Sequence, residues 1–107
     1  MTKDITHGSK NVFADLGLPD AFERQTKTRL AMALNDILKT RKLKQADAAQ
    51  LLGVPQPKIS ALVNYRLDNT SVEKLMSYLT ALNQDVEIMI RPRAEAGTGA
   101  ISVLSVR

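Results

Sequence analysis

Residues 45–66 contain several side chains that form directional hydrogen bonds, together with two that carry positive charge. Gln56, Lys58 and Asn64 are among them. An amide donates and accepts hydrogen bonds at once, and an ammonium group pairs with an anion, so this chemistry is recognition rather than bond breaking. His7 is the only histidine and the sequence has no cysteine, which leaves no nucleophile–base set and no metal-ligand spacing. We therefore expect no enzymatic activity, no metal and no cofactor.

Positive charge is unevenly distributed along the chain. Residues 20–66 carry nine Lys or Arg against four Asp or Glu, a net +5, whereas the remaining residues sum to −1. Such a section can hold a polyanion, although charge alone fits an ordinary solvated basic face equally well. The 107 residues suffice for one domain with an aliphatic core. Without a signal-peptide pattern or a membrane-length apolar run, we expect a cytoplasmic, nucleoid-associated protein with no membrane partner.

The periodicity of apolar residues predicts a mainly α protein. Asp20 opens a capping pattern for a long helix that reaches Arg41. Two shorter helices are predicted over 45–52 and 57–64, separated by a glycine. The stretch 70–73, Thr-Ser-Val-Glu, predicts a second capping box at the start of a fourth helix.

The end of the chain has a different period. Val86, Ile88 and Ile90 alternate with polar or charged residues, and 101–106 is rich in β-branched residues. This alternation predicts a C-terminal β-strand or β-hairpin. Because an isolated hairpin is marginally stable in water, we expect Val86, Ile88 and Ile90 to form a dimer interface.

Small and apolar residues across 45–64 have the spacing of two helices that cross through a very short turn. Ala49 is small where the next helix passes, Gly53 supplies a positive φ, and Ile59 and Leu62 fill the space between. This pattern resembles the helix-turn-helix of the lambda-repressor/Cro, or XRE, family. The resemblance implies a lambda-repressor-like bundle of four to five helices. The alternative is a plain αα-corner that binds nothing.

The resemblance also implies that the second helix of the pair enters the major groove of double-stranded DNA. By position, Gln45 contacts a phosphate, Gln56 pairs with adenine, and Lys58 reaches guanine or a phosphate. Ala61 can contact only a thymine methyl group. Further contacts are expected from Ser60, Asn64, Arg66, Lys44 and Lys42.

Two prolines depart from the family pattern. Pro55 replaces the usual Ser or Thr cap of the second helix, and Pro57 occupies a base-reading position without a polar side chain. Both are sterically acceptable in the first turn of a helix. They indicate that specificity depends partly on DNA shape.

The segments that flank the helix-turn-helix, 11–18 and 85–91, are similar to those of HigA-type antitoxins. This similarity implies a homodimer that represses its own operon at a palindromic operator and neutralises a small RelE/HigB-like, mRNA-cleaving toxin. The expected toxin-binding residues lie in the apolar arm: Val12, Phe13, Leu16 and Leu18.

Two alternatives to the antitoxin function remain open: a free-standing, phage-type XRE regulator without a toxin, and a helical interaction module without DNA binding. The alternative for the arm is that it folds back on the core and does not bind a toxin. The expected domain organisation is a partly disordered arm at 1–19, a helix-turn-helix domain at 20–84 and a C-terminal strand or hairpin at 85–107.

Overall fold

The computed structural model describes residues 20–106, in which four α-helices follow one another. They are α1 (Asp20–Thr40), α2 (Gln45–Leu52), α3 (Gln56–Val63) and α4 (Val72–Ala81). The first three agree within one residue with the bounds that the sequence predicts, because caps, glycines and apolar periodicity are local signals. None of the described helices is both long and apolar enough to cross a membrane.

The long helix α1 is the scaffold of the bundle, and it packs mainly against α4 and also against α3. Leu30, Leu34 and Leu38 form one buried stripe along α1 at helical spacing. In the same buried cluster, α4 contributes Leu75 and Leu79. A fully buried leucine side chain stabilises the fold by roughly 1.5–3 kcal/mol, so this contact contributes substantially to stability.

Polar side chains of α1, and that of Arg41 immediately after it, contact the backbone of the other elements. Their donors reach backbone carbonyls of α3, of the α3–α4 loop and of the end of α4. These are Asn35 Nδ2 to Val63 O at 3.5 Å, Lys27 Nζ to Leu67 O at 3.4 Å, and Arg41 Nη1 to Leu82 O at 3.0 Å. The Val63 carbonyl at the end of α3 has no intrahelical donor, and Asn35 gives it a partner. The carbonyls of Leu67 and Leu82 also accept from Thr70 N and from Gln84 Nε2.

All four described helices end in the same way. A residue in the left-handed region follows each one: Lys42, Gly53, Tyr65 and Asn83, with φ between 57° and 68°. The next N–H then donates to the carbonyl five residues earlier, as from Val54 to Ala49 at 3.1 Å and from Arg66 to Ala61 at 2.9 Å. This arrangement is a common helix C-cap, and of the four residues only Gly53 adopts it without steric strain on a Cβ.

The predicted C-terminal β-strand or hairpin is wrong. Residues 82–106 contain no strand, and neither does any other part of the described chain. Val86 and Val103 pack against the helical core, whereas Ile88 is 74% exposed and Ile90 is 92% exposed. Alternation of apolar residues favours extended backbone, but a strand also needs a hydrogen-bonded neighbour, and the helical bundle offers no sheet edge.

The predicted capping box at residues 70–73 is also wrong by one residue. Ser71 is the N-cap of α4, and its Oγ accepts a hydrogen bond from the backbone N–H of Lys74 at 3.0 Å. Thr70 is instead buried, with 2% of its surface exposed. Its hydroxyl is therefore available for a different contact.

We expect Gly53→Val to destabilise the turn between α2 and α3. Nothing lies within 4 Å of a Cβ built at Gly53, so the cost comes from the φ of +68° and not from a clash. Left-handed backbone costs an L-residue about 1–2 kcal/mol, and each kcal/mol lowers Tm by about 4–8 °C in a domain of this size. Thermal unfolding followed by circular dichroism measures the shift.

Gly53→Asn is the matched control, because asparagine tolerates this region better than other non-glycine residues. It should lose clearly less stability than the valine variant. Equal Tm values for the valine variant and the unsubstituted protein would contradict the role assigned to the glycine.

Candidate nucleic-acid interface

Helices α2 and α3 form a tightly packed pair joined by residues 53–55. Gly53 has φ 68° and ψ 35°, which turns the chain immediately after α2. Ala49, Ile59 and Leu62 are all buried, and Val54 packs against the same core. The sequence predicted a small residue at Ala49, beneath the second helix, and Ile59 and Leu62 as residues that fill the space between the two helices. The pair is therefore a helix-turn-helix in its geometry.

The start of α3 accommodates both prolines. Pro55 is the N-cap, with φ −65° and ψ 148°, and it makes no side-chain cap hydrogen bond. Its carbonyl accepts the backbone N–H of Lys58 at 2.9 Å, which is the first hydrogen bond of the helix. Because the first N–H groups of a helix have no intrahelical acceptor, Pro57 removes none of its hydrogen bonds. The helix forms without the polar cap.

One face of α3 is turned away from the core. At about 100° per residue, positions 56, 57, 60, 61 and 64 fall within an arc of roughly 140°. Gln56, Pro57 and Asn64 are exposed, and Ser60 and Ala61 are half-buried. The Asn64 amide donates from Nδ2 to the Ser60 carbonyl at 2.8 Å, which leaves its amide oxygen and its second N–H for other partners. We call these five residues the α3 face.

Lys58 lies at the border between the α3 face and the buried side of the helix, and its side chain is half-buried. Its Nζ donates to the carbonyl of Asn69 at 3.1 Å and also to Oγ1 of Thr70. Both acceptors belong to the loop between α3 and α4. The ammonium group is thus engaged within the protein, whereas the resemblance assigned it to DNA.

A shallow groove runs between α3 and α4, and positive charge borders it. We call it the α3–α4 groove. Its lining combines residues of the turn, of α3, of the loop and of α4: Val54, Pro55, Pro57, Lys58, Ala61, Arg66, Asp68, Asn69, Lys74 and Tyr78. Burial raises the pKa of Tyr78, so its hydroxyl stays protonated at neutral pH. The groove therefore presents three cationic side chains and one carboxylate around a neutral wall.

Sequence reasoning missed Lys74 as a member of this basic surface. It stands in the first turn of α4, and only the packing of α4 beside α3 brings it to the groove. A lysine in the first turn of a helix is opposed by the helix dipole. A positive charge at an unfavourable position of a predicted helix is therefore a sequence signal that could have identified Lys74. The same signal applies to Lys58 in the first turn of α3.

The remaining predicted phosphate contacts lie at the start of α2, outside the α3–α4 groove. Gln45 is the first residue of α2 and is half-buried. Lys44 is the exposed N-cap, and its backbone N–H donates to Oδ2 of Asp47 at 3.3 Å. Lys42 is exposed in the turn that follows α1. Arg66, by contrast, lines the groove with Lys58 and is itself exposed.

The other predicted residues are not brought to this surface. The arm residues Val12, Phe13, Leu16 and Leu18, and also His7, lie outside the described residues. Val86 is half-buried, and Ile88 and Ile90 belong to the exposed C-terminal segment. Among residues 20–106, no group of three His, Asp or Glu side chains is arranged to hold a metal ion.

Comparison with known proteins gives the same assignment as the geometry. A family model described as a helix-turn-helix domain matches residues 12–91. A solved structure that carries the name XRE family transcriptional regulator is 54% identical in sequence, with a TM-score of 0.79. The alignment covers 82% of this chain and 100% of that one. No curated protein matches the sequence. The chain therefore belongs to this helix-turn-helix family, within the XRE group of transcriptional regulators.

Proposed function

We propose that the protein represses transcription by inserting α3 into the major groove of double-stranded DNA. The observation that carries this proposal is the α3 face, which projects from the bundle directly after the short turn. An α-helix fits the major groove, where each base pair presents a distinct pattern of donors and acceptors. The basic residues that border α3 favour a polyanion over an uncharged partner.

We propose a role for each side chain of the α3 face. Gln56, exposed at the first position of α3, is the base reader, because its amide can donate and accept simultaneously to adenine. Ser60 and Asn64 offer polar contacts to bases or phosphates, and Ala61 offers contact with a thymine methyl group. Pro57 adds only an apolar surface, which leaves part of the specificity to the shape of the DNA.

Phosphate contacts position the protein on the duplex without reading its sequence. We assign this role to Gln45 and Lys44 at the start of α2, to Lys42 beside them, and to Arg66 in the groove. Arg66 and Lys44 are exposed, so neither would leave a buried partner on binding a phosphate.

We further propose that the protein binds a palindromic operator as a homodimer. Val86, Ile88 and Ile90 form the proposed contact between copies, without any assumption about strand pairing. Ile88 and Ile90 are 74% and 92% exposed, and apolar side chains at such exposure gain free energy when a partner covers them. A dimer would contact half-sites roughly one helical turn, about 10 base pairs, apart.

A role as a toxin-neutralising antitoxin is the finer form of this proposal. The feature that motivates it is the apolar arm, whose side chains can cover an apolar surface of a partner. Val12, Phe13, Leu16 and Leu18 are the proposed contacts with a small RelE/HigB-like toxin. The alternative is a free-standing XRE regulator, and the presence of a short neighbouring gene for a basic RelE-like protein separates the two.

Titration of the protein onto its own upstream DNA, beside a scrambled duplex of equal length, tests DNA binding. We expect tight binding to the upstream DNA that weakens as salt rises, because phosphate contacts release counterions. Gln56→Ala should cost about 1–3 kcal/mol on the upstream DNA and little on the scrambled duplex. Equal losses on both duplexes would contradict base reading by Gln56, and no preference for the upstream DNA would contradict specific repression.

Replacement of both Ile88 and Ile90 by aspartate should convert dimers to monomers, because two charges would be buried at the proposed contact. Sedimentation velocity measures the change. Ser102 and Ser105 are exposed residues of the same C-terminal segment, so their replacement by aspartate adds equal charge as a control. If the variant with aspartate at positions 88 and 90 sediments as the unsubstituted protein does, this surface is not the interface between copies.

Replacement of Phe13 and Leu16 by aspartate should abolish capture of the neighbouring RelE-like protein and leave operator affinity unchanged, because the arm lies outside the helix-turn-helix. Co-purification and DNA titration of the same preparation measure the two effects. If the aspartate variant captures the RelE-like protein as well as the unsubstituted protein does, the proposed role of the arm is contradicted. If the unsubstituted protein does not bind the RelE-like protein at all, the protein is a free-standing regulator.

A further inference from the structure

The ammonium group of Lys58 connects α3 to the loop that leads into α4. Its two acceptors are the carbonyl of Asn69, at 3.1 Å, and Oγ1 of Thr70. We propose that Lys58 is a positioning residue, which fixes the orientation of α3 from inside the protein and does not itself contact DNA. The functional part of this inference rests on the proposed DNA binding, whereas its structural part does not.

Burial of Thr70 is the first reason for this inference. The side chain is 2% exposed, and a buried hydroxyl is costly unless it has a hydrogen-bond partner. Ser71 caps α4 in its place, so the hydroxyl of Thr70 takes no part in starting that helix. Lys58 supplies its partner. If the ammonium group moved to DNA, it would leave this buried hydroxyl without that contact.

The position of Lys58 in its helix is the second reason. It is the third residue of α3, where the helix dipole opposes a positive charge. The two oxygen acceptors of the loop stabilise the ammonium group and so compensate for the unfavourable interaction with the dipole. Lys58 also lies about 40° from the buried Leu62 around the helix axis, at the edge of the α3 face. Its side chain is therefore directed along the α3–α4 groove.

The contact couples two parts of the proposed interface. Lys58 stands two residues after Gln56, and its acceptors lie in the same loop as Arg66. The loop is also held by α1, through Lys27 Nζ on the carbonyl of Leu67. Lys58 thus fixes the start of α3 to a loop that is itself anchored to the scaffold. Without it, the base reader and the phosphate contact would lose their fixed separation.

The first experiment is a double-mutant cycle in the absence of DNA, with Lys58→Met, Thr70→Val and the combined variant of the full chain. We expect each single variant to lower Tm by about 4–8 °C. The combined variant should lower it by no more than the larger single shift, because both changes remove one interaction. Lys74→Met is the matched control, a lysine of the same groove whose side chain makes no such contact, and its Tm should stay close to that of the unsubstituted protein.

The second experiment is titration of the same variants onto the upstream DNA at several salt concentrations. We expect Lys58→Met and Thr70→Val each to weaken binding by about 5–30-fold. The slope of log K against log salt should change by much less than 1 for either variant, because loss of a true phosphate contact lowers the slope by about 1. Thr70→Val is the decisive variant, since it keeps the charge of Lys58.

Three results would overturn the inference. The first is that the Tm shifts of the two single variants add up in the combined variant. The second is that the slope of log K against log salt falls by about 1 for Lys58→Met while Thr70→Val binds DNA normally. The third is that Lys58→Met changes the preferred base at one position of the upstream DNA. A protein without salt-sensitive DNA binding would contradict the proposed function, but the cycle of Tm values would still decide whether Lys58 holds the loop.

Discussion

The three-residue turn between α2 and α3 is the constraint on which the candidate interface depends. Its left-handed Gly53 lets the chain reverse while Val54 still donates to the end of α2. Because the turn is so short, α3 must pack directly over Ala49, and only one side of α3 can be buried. The opposite side is then exposed by necessity. The α3 face is thus a geometric consequence of the turn and of the small residue beneath it.

Helix α1 fixes this pair relative to the remainder of the bundle by two kinds of force. Its leucine stripe supplies non-directional burial against α4, which determines which surfaces meet. Polar donors of α1, and Arg41 immediately after it, contact single carbonyls at Val63, Leu67 and Leu82, which ties the other elements to α1 at fixed points. Close packing restrains the short helices, but the hydrophobic attraction itself is non-directional. The hydrogen bonds to these carbonyls are directional and add to that restraint.

The residues that sequence reasoning placed correctly are those whose signals are local. Gly53, the leucines of α1 and the spacing of Ala49, Ile59 and Leu62 determine the helices and their crossing, and each acts within a few residues. The C-terminal strand was predicted wrongly because a strand depends on a neighbour that no local pattern supplies. The cap of α4 at Ser71 and the inward direction of Lys58 were not predicted. Lys58 and Thr70 meet in a contact across twelve positions of the chain, which no local pattern shows.

The described chain presents two surfaces whose interactions obey different physics. The α3 face and its basic border offer charge and hydrogen bonds, so their interactions weaken with rising salt. The C-terminal segment exposes Ile88, Met89, Ile90, Leu104 and Val106, and interactions of such side chains are insensitive to screening by salt. Assembly between proteins and contact with a polyanion can therefore be separated by ionic strength. High salt should release the polyanion first, because only that contact depends on counterions.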